Sequence, residues 1–340
     1  MHRELDVSFE LLNNFTPDNA TGTIVDNLIK MMGVYKHGYK NILVSISGGS
    51  DSDILLDICK RFDPYSIRTK YLWIDTGLEY QATKDHIQYL ERRYGIEICK
   101  MKAKMPIPLA VKEYGQPFVS KQVSEYMHRL QLNNFKWEDE SFVSLIQKYP
   151  NCDSALRWWC DMKGKGSRFS IRQNSVLKEF IMNNPPDFPI SNMCCQKAKK
   201  DTAAEAYKLM GTELAILGVR KAEGGARSGH NNCFTTRSKE HVYDTYRPLF
   251  WWKHADKRTY KNGFGICNSR CYSEYGLKRT GCVGCPFNRD FEEELEICDK
   301  HEPKLANACH NIFHLSYEYT RKYQDFIRNW NNRTIFYLYR

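Results

Sequence analysis

The stretch "NILVSI" at 41–46 runs directly into "SGGSDS" at 47–52 and then into "DILLDICKRF" at 53–62. A short apolar run bounded by turn residues reads as a buried strand, and the segment after the glycines as a helix. The pattern repeats. "TKYLWID" (69–75) predicts a second strand, "ATKDHIQYLERRYG" (82–95) a second helix stopped by Gly95, and "IEICK" (96–100) a third strand. Strands alternating with helices imply βαβ units. The expected fold class is therefore α/β, a parallel sheet flanked by helices.

The order loosens elsewhere. Residues 23–35 predict a helix with Thr23 as N-cap, within an N-terminal helical segment 1–38. Residues 101–185 predict a mostly helical insertion, with helices at 120–133 and 139–148 and a Trp-rich basic stretch "LRWWCDMKGKGSRFSIRQ". "NNPPDFPI" (183–190) is a linker or turn. Then "KAKKDTAAEAYKLMG" predicts a helix and "ELAILGV" another core strand, so the α/β domain covers 39–100 and 186–290. Regular structure within 220–290 is hard to assign. A helical extension over 291–340 closes the chain.

The turn at 47–52 has a physical use. A helix leaves its first N–H groups unpaired and carries partial positive charge there. Gly48 and Gly49 have no Cβ to obstruct an approaching phosphate, and Ser47, Ser50 and Ser52 add hydroxyls, with Ser45 just ahead at the strand end. Asp51 would repel phosphate unless a divalent cation bridged them, which makes Mg²⁺ a natural companion. No "GK[ST]" follows, so this is not a Walker loop. On the hexapeptide alone, an ordinary βα turn with a serine cap stays open.

"SGGSDS" resembles the PP-loop of ATP pyrophosphatases and their sulfonucleotide-reductase relatives. "IDTGLEYQAT" (74–83) is similar to the "DTG…E…T" element of the phosphoadenosine-phosphosulfate (PAPS) reductase family. Two matches in consecutive βα units, in the right order, are stronger than either alone. The resemblance implies an adenine nucleotide alpha hydrolase-like fold binding ATP, PAPS or APS. Asp75, Thr76, Gly77 and Glu79 would lie beside the nucleotide. It also implies that Lys199 neutralises phosphate or sulfate, and that Arg220 and Arg227 of "GVRKAEGGARS" act as phosphate forks.

The chain has 13 cysteines. The N-terminus shows no basic region followed by an apolar block, and no run of about 18 apolar residues suggests a membrane span. A cytoplasmic protein with reduced thiols is expected, so clustered cysteines call for a metal. Cys194–Cys195 and the Cys-x-x-Cys of Cys282 and Cys285 present soft thiolates suited to zinc or iron–sulfur. Their order resembles the four-cysteine set that binds [4Fe–4S] in adenosine-phosphosulfate-type reductases. A set taking in Cys271 and Cys298, or a hybrid with Cys271, stays open, as does zinc.

The net charge of +10 favours an anionic partner, and the basic insertion leaves a nucleic-acid or a protein partner open. "RPLFWWKHADKRTYK" (247–261) suits stacking and backbone contact with nucleic acid, and equally a core strand followed by a charged turn. Three functions compete. The undegenerated loop favours an ATP pyrophosphatase releasing pyrophosphate through an adenylylated intermediate, in sulfur transfer or nucleic-acid modification. The "DTG" element and cysteine set favour a sulfonucleotide reductase, though the tail "NRTIFYLYR" lacks that enzyme's nucleophilic cysteine. A non-catalytic regulator binding nucleotide and nucleic acid is the third.

Overall fold

The apolar runs become strands hydrogen-bonded side by side: β1 (Ile42–Ser45), β2 (Thr69–Asp75), β3 (Ile98–Lys102) and β4 (Leu214–Leu217). The computed structural model describes residues 16–164, 167, 169–174, 176–224, 229–238 and 242–338, with side chains to Asn331. Two short strands, β5 (Phe234–Thr235) and β6 (Asp244–Tyr246), complete one six-stranded sheet in the order β3-β2-β1-β4-β6-β5. All neighbouring pairs are parallel except β5 with β6. The fold is the α/β class that the sequence predicts, a mostly parallel sheet flanked by helices.

Strand order reverses between β1 and β4. In open α/β sheets a crevice opens there, at the carboxyl ends of the strands. The segment after β1 is "SGGSDS" and the segment after β4 leads to Arg220, so sequence-distant groups reach one corner.

The chain divides into two compact units: residues 1–75, 79–103 and 201–282 form the first, and 76–78, 104–200 and 283–340 the second. The first holds the sheet. Side chains of β1 alternate between its two faces, as strand geometry requires. Ile42 and Val44 join a core with Leu28, Ile54, Ile58 and Trp252, whereas Leu43 packs with Leu72, Ala206 and Ala215. The helix Gly22–Lys36 covers the first face. Its N-cap is Thr21, not Thr23, because the Thr21 hydroxyl accepts from the Ile24 amide at 3.3 Å.

Within this core Asp57 is 2% exposed. Its carboxylate accepts from Arg61 Nε at 2.6 Å, Tyr94 OH at 3.0 Å and Tyr260 OH at 2.9 Å. A buried carboxylate so fully bonded is satisfied in place. It fastens three helices: Ser50–Phe62, Gln81–Tyr94 and His254–Gly263.

The second unit is helical. Lys121–Leu132 (capped by Ser120), Phe142–Lys148, Asp153–Trp159 and Leu177–Asn183 surround an aromatic core of Phe118, Trp158, Trp159 and Phe180. Tyr319 and Tyr323 of the long helix Pro303–Leu338 close it. Among the described residues no helix is long and apolar enough to cross a membrane.

Candidate functional site

β1 ends at Ser45, whose hydroxyl lies 3.1 Å from Tyr207 OH. The chain then turns through Gly48, with φ +69°, into the helix Ser50–Phe62 with Gly49 as N-cap. That φ favours glycine, and a Cβ there would stand 2.9 Å from Thr83 Cγ2. Gly49 has an ordinary φ of −96°, so its requirement is spatial. A Cβ on it would lie 2.9 Å from Thr280 Oγ1, 3.2 Å from Ser47 Oγ and 3.3 Å from Tyr272 OH.

The loop's amides are turned toward hydroxyls. Gly49 N donates to Ser52 Oγ at 3.1 Å and more weakly to Ser47 Oγ at 3.3 Å. Ser52 Oγ in turn donates to Gly49 O at 2.7 Å. Ser50 N donates to Tyr272 OH at 3.3 Å. These long amide-to-hydroxyl bonds can yield to a ligand's phosphate oxygens, which accept more strongly.

Asp51 carries the site's electrostatics. One carboxylate oxygen lies 2.9 Å from Arg220 Nε and the other 2.5 Å from Lys257 Nζ. The Arg220 side chain is 4% exposed, and it also donates to Trp252 O at 3.4 Å. Both oxygens of Asp51 are thus committed to cations. The magnesium role expected of Asp51 requires a nucleotide to take those cations over first, and the loop does not fit a resident Mg²⁺ as it stands.

Lys261, 8% exposed, reaches Ser50 Oγ at 3.3 Å and also bonds Asn268 Oδ1. Burial holds its ammonium below the usual lysine range, against the attraction of Asp53 and Asp51. Behind the loop, Asp53 and His86 form a buried pair, Oδ2 to Nε2 at 2.9 Å. Asp75 ends β2, with Lys84 Nζ at 4.0 Å from its carboxylate, and Glu79 is half-buried in the same unit.

The other residues expected at the nucleotide lie in the second unit or outside the described chain. Thr76 O accepts from Ile107 N at 2.9 Å, and Gly77, φ +84°, lies against Pro106. Lys199 sits in a wide turn of π-helical hydrogen bonding, Gln196–Asp201, immediately after Cys195. A hydrogen bond from Cys194, with the charges of Lys121 and Lys199, lowers the Cys195 thiol to about 5, against the opposing effect of burial. Arg227 falls outside the described residues.

Of the remaining cysteines, Cys271 and Cys282 belong to the first unit and Cys285 to the second, the division falling just after Cys282. None of the thirteen forms a disulfide. Among the described residues no three Cys, His, Asp or Glu side chains are gathered as a ready metal site. Thiolate chemistry at Cys195 suits a soft metal.

Sequence reasoning missed Lys257, Lys261, Tyr272 and Thr280. A signal was present in "HADKRTYK", where Lys257 and Lys261 are four apart and so share a helix face.

Residues 41–140 match the family model of the phosphoadenosine phosphosulfate reductase domain. The chain carries a PAPS-reductase-type domain. The match begins at β1, takes in the glycine loop and β2, and extends past β3. An uncharacterized protein of Methanocaldococcus jannaschii is 29% identical over 168 residues, 46% of this chain and 33% of that protein. The chain therefore spans a third of this relative's length. Among solved structures, PAPS reductase from Candida auris is similar at 14% identity and TM-score 0.41, covering 75% of this chain and 86% of that one. The U34-tRNA thiolase NcsA of Methanococcus maripaludis, solved with its [4Fe-4S] cluster, is similar at 11% identity and TM-score 0.35, covering 88% and 79%. At these scores neither likeness bears on the reaction of the PAPS-reductase-type domain.

Proposed function

We propose that this chain is a PP-loop enzyme that binds an adenine nucleotide at Ser47–Ser52 and cleaves it between the α- and β-phosphates, serving sulfur transfer or nucleic-acid modification. The observation that carries this is the cation fork of Arg220 and Lys257, closed on Asp51 at the mouth of a complete glycine–hydroxyl cradle. Polyphosphate would take the amides of Gly49 and Ser50 and draw the two cations from Asp51. An acceptor oxygen would then attack the α-phosphorus, forming one P–O bond while the α–β bridge breaks and pyrophosphate leaves. A sulfur or nitrogen nucleophile would displace AMP from the adenylylated acceptor.

The domain match favours a second function, sulfonucleotide reduction, in which a thiolate attacks the sulfate sulfur. Two candidate thiols are poorly placed for that. Burial, with Glu302, Asp299 and Glu294 nearby, pushes the Cys298 thiol up to about 12. Cys309 is fully buried, its thiol 3.5 Å from Val283 O.

Anaerobic protein incubated separately with ATP and with PAPS decides between them. Pyrophosphate from ATP is the expected product. Sulfite from PAPS would establish the reductase instead, and bound nucleotide without either product would leave a non-catalytic binder.

The sequence pattern also supports Cys194, Cys195, Cys282 and Cys285, with Cys271 as alternate, as ligands of a [4Fe–4S] cluster. Such a cluster supplies a redox or sulfur-binding centre when present. Protein purified without oxygen is expected to be brown, with about four iron per chain. A colourless, zinc-bearing preparation would show that these thiolates hold zinc.

A further inference from the structure

The segment 247–261 is a buried turn leading into a charged helix, where a core strand leading into a charged turn was the alternative. Phe250 and Trp252 are fully buried, while Trp251 between them is 47% exposed, with Lys221 Nζ 5.1 Å from its ring centre. The helix His254–Gly263 follows. His254, Lys257, Arg258 and Lys261 recur at helical spacing on one face, spanning about 10 Å along the axis. With Ser50 and Asn268 they line a cleft of 410 Å³. No carboxylate is among its lining residues. The helix's own acid, Asp256, is buried and bonded to Thr21 Oγ1 at 2.6 Å and Lys253 N at 2.7 Å.

The cleft is also built. Tyr260 is anchored on Asp57, and Lys261, nine-tenths buried, is held between Ser50 and Asn268. Ile266 is its one apolar lining residue, and no Phe, Tyr or Trp lines it. It therefore suits phosphate oxygens, not a base. Its basic face is longer than one phosphate group, and an exposed indole stands three residues ahead of the helix start. A basic groove combined with exposed aromatic side chains is how single strands are held without sequence readout.

We infer that a single-stranded nucleic acid lies along the helix His254–Gly263, its phosphates in the cleft, one base on Trp251, and its reactive end at Ser50. The strand's role as acceptor rests on the proposed function; its binding does not.

Fluorescence anisotropy with labelled twelve-residue oligouridine and oligothymidine tests this across a salt series, beside ATP binding by the same wild-type protein. Wild type should bind both probes with marked salt dependence. Arg258→Glu should weaken binding at least about tenfold and lower the salt slope by about one or more. Trp251→Ala should weaken binding roughly tenfold. Both side chains are exposed, so far-ultraviolet circular dichroism should stay unchanged. Oligonucleotide binding with these losses but no ATP binding keeps the track and removes the nucleotide enzyme. ATP binding with no oligonucleotide binding, or with both variants binding like wild type, overturns the track alone. Equal competition by polyglutamate of matched charge also overturns it, since the cleft would then serve an acidic protein.

Discussion

Asp51→Ala is expected to lose about 3–5 kcal/mol of stability, because removing one partner of a buried ion pair leaves the other charge uncompensated. Here two cations are left, and Arg220 is the more deeply buried. In phosphate-free buffer the melting temperature should fall on the order of 10 °C. The same variant should be rescued by inorganic pyrophosphate. With the carboxylate gone, the anion meets no competitor for the fork, and its binding stabilises the folded chain by mass action. The pyrophosphate-induced rise in melting temperature should therefore exceed that of wild type. Turnover should nonetheless fall at least about a hundredfold. Without a carboxylate between them the two cations repel, and displacements of about 1 Å are enough for such a loss. Pyrophosphate release from ATP measures it. A variant as stable as wild type, or one showing no larger response to pyrophosphate, would remove Asp51 from the centre of this site.

Gly49→Ala tests the cradle itself. The backbone at position 49 accepts alanine without strain, so the melting temperature should move by only a few degrees. The new methyl would stand 2.9 Å from Thr280 Oγ1, in the space the loop offers to phosphate oxygens. Nucleotide affinity should fall at least about a hundredfold, or roughly 2.7 kcal/mol. Gly48→Ala should differ in kind. At φ +69° it adds a folding penalty of about 1–2 kcal/mol to any loss of binding. Titration calorimetry with ATP and thermal melts on both variants separate the two effects. If Gly49→Ala binds ATP like wild type, the polyphosphate lies elsewhere.

The elements carried by apolar contrast were legible. Ile42–Ser45, Thr69–Asp75 and Leu214–Leu217 are buried runs between turn residues, and Gly95 ends its helix in the left-handed conformation. The segment from 220 to 290 was not. β6 is "DTY", a strand because β4 and β5 lie on either side of it, and no apolar run announces it. The helix His254–Gly263 buries Asp256, Tyr260 and Lys261. Two of these three are charged, so its inward face reads as polar. Hydrogen bonds to Thr21 and Ser50 satisfy those charges, and only folding supplies such partners. The glycines and serines of the loop were visible as a pattern. Asp51's engagement with Lys257, two hundred residues away, follows from topology and not from local sequence.

Asp57 has a consequence for how this protein can change. One carboxylate grips Tyr260 of the basic helix and Arg61 of the loop helix, so the two cannot drift apart by small adjustments. Descendants that acquire a new acceptor must do so by exchanging rim residues such as Arg258 and Trp251, while the frame beneath stays fixed. Variation between lineages should therefore gather on the outward rim of that helix and spare the tyrosine beneath it.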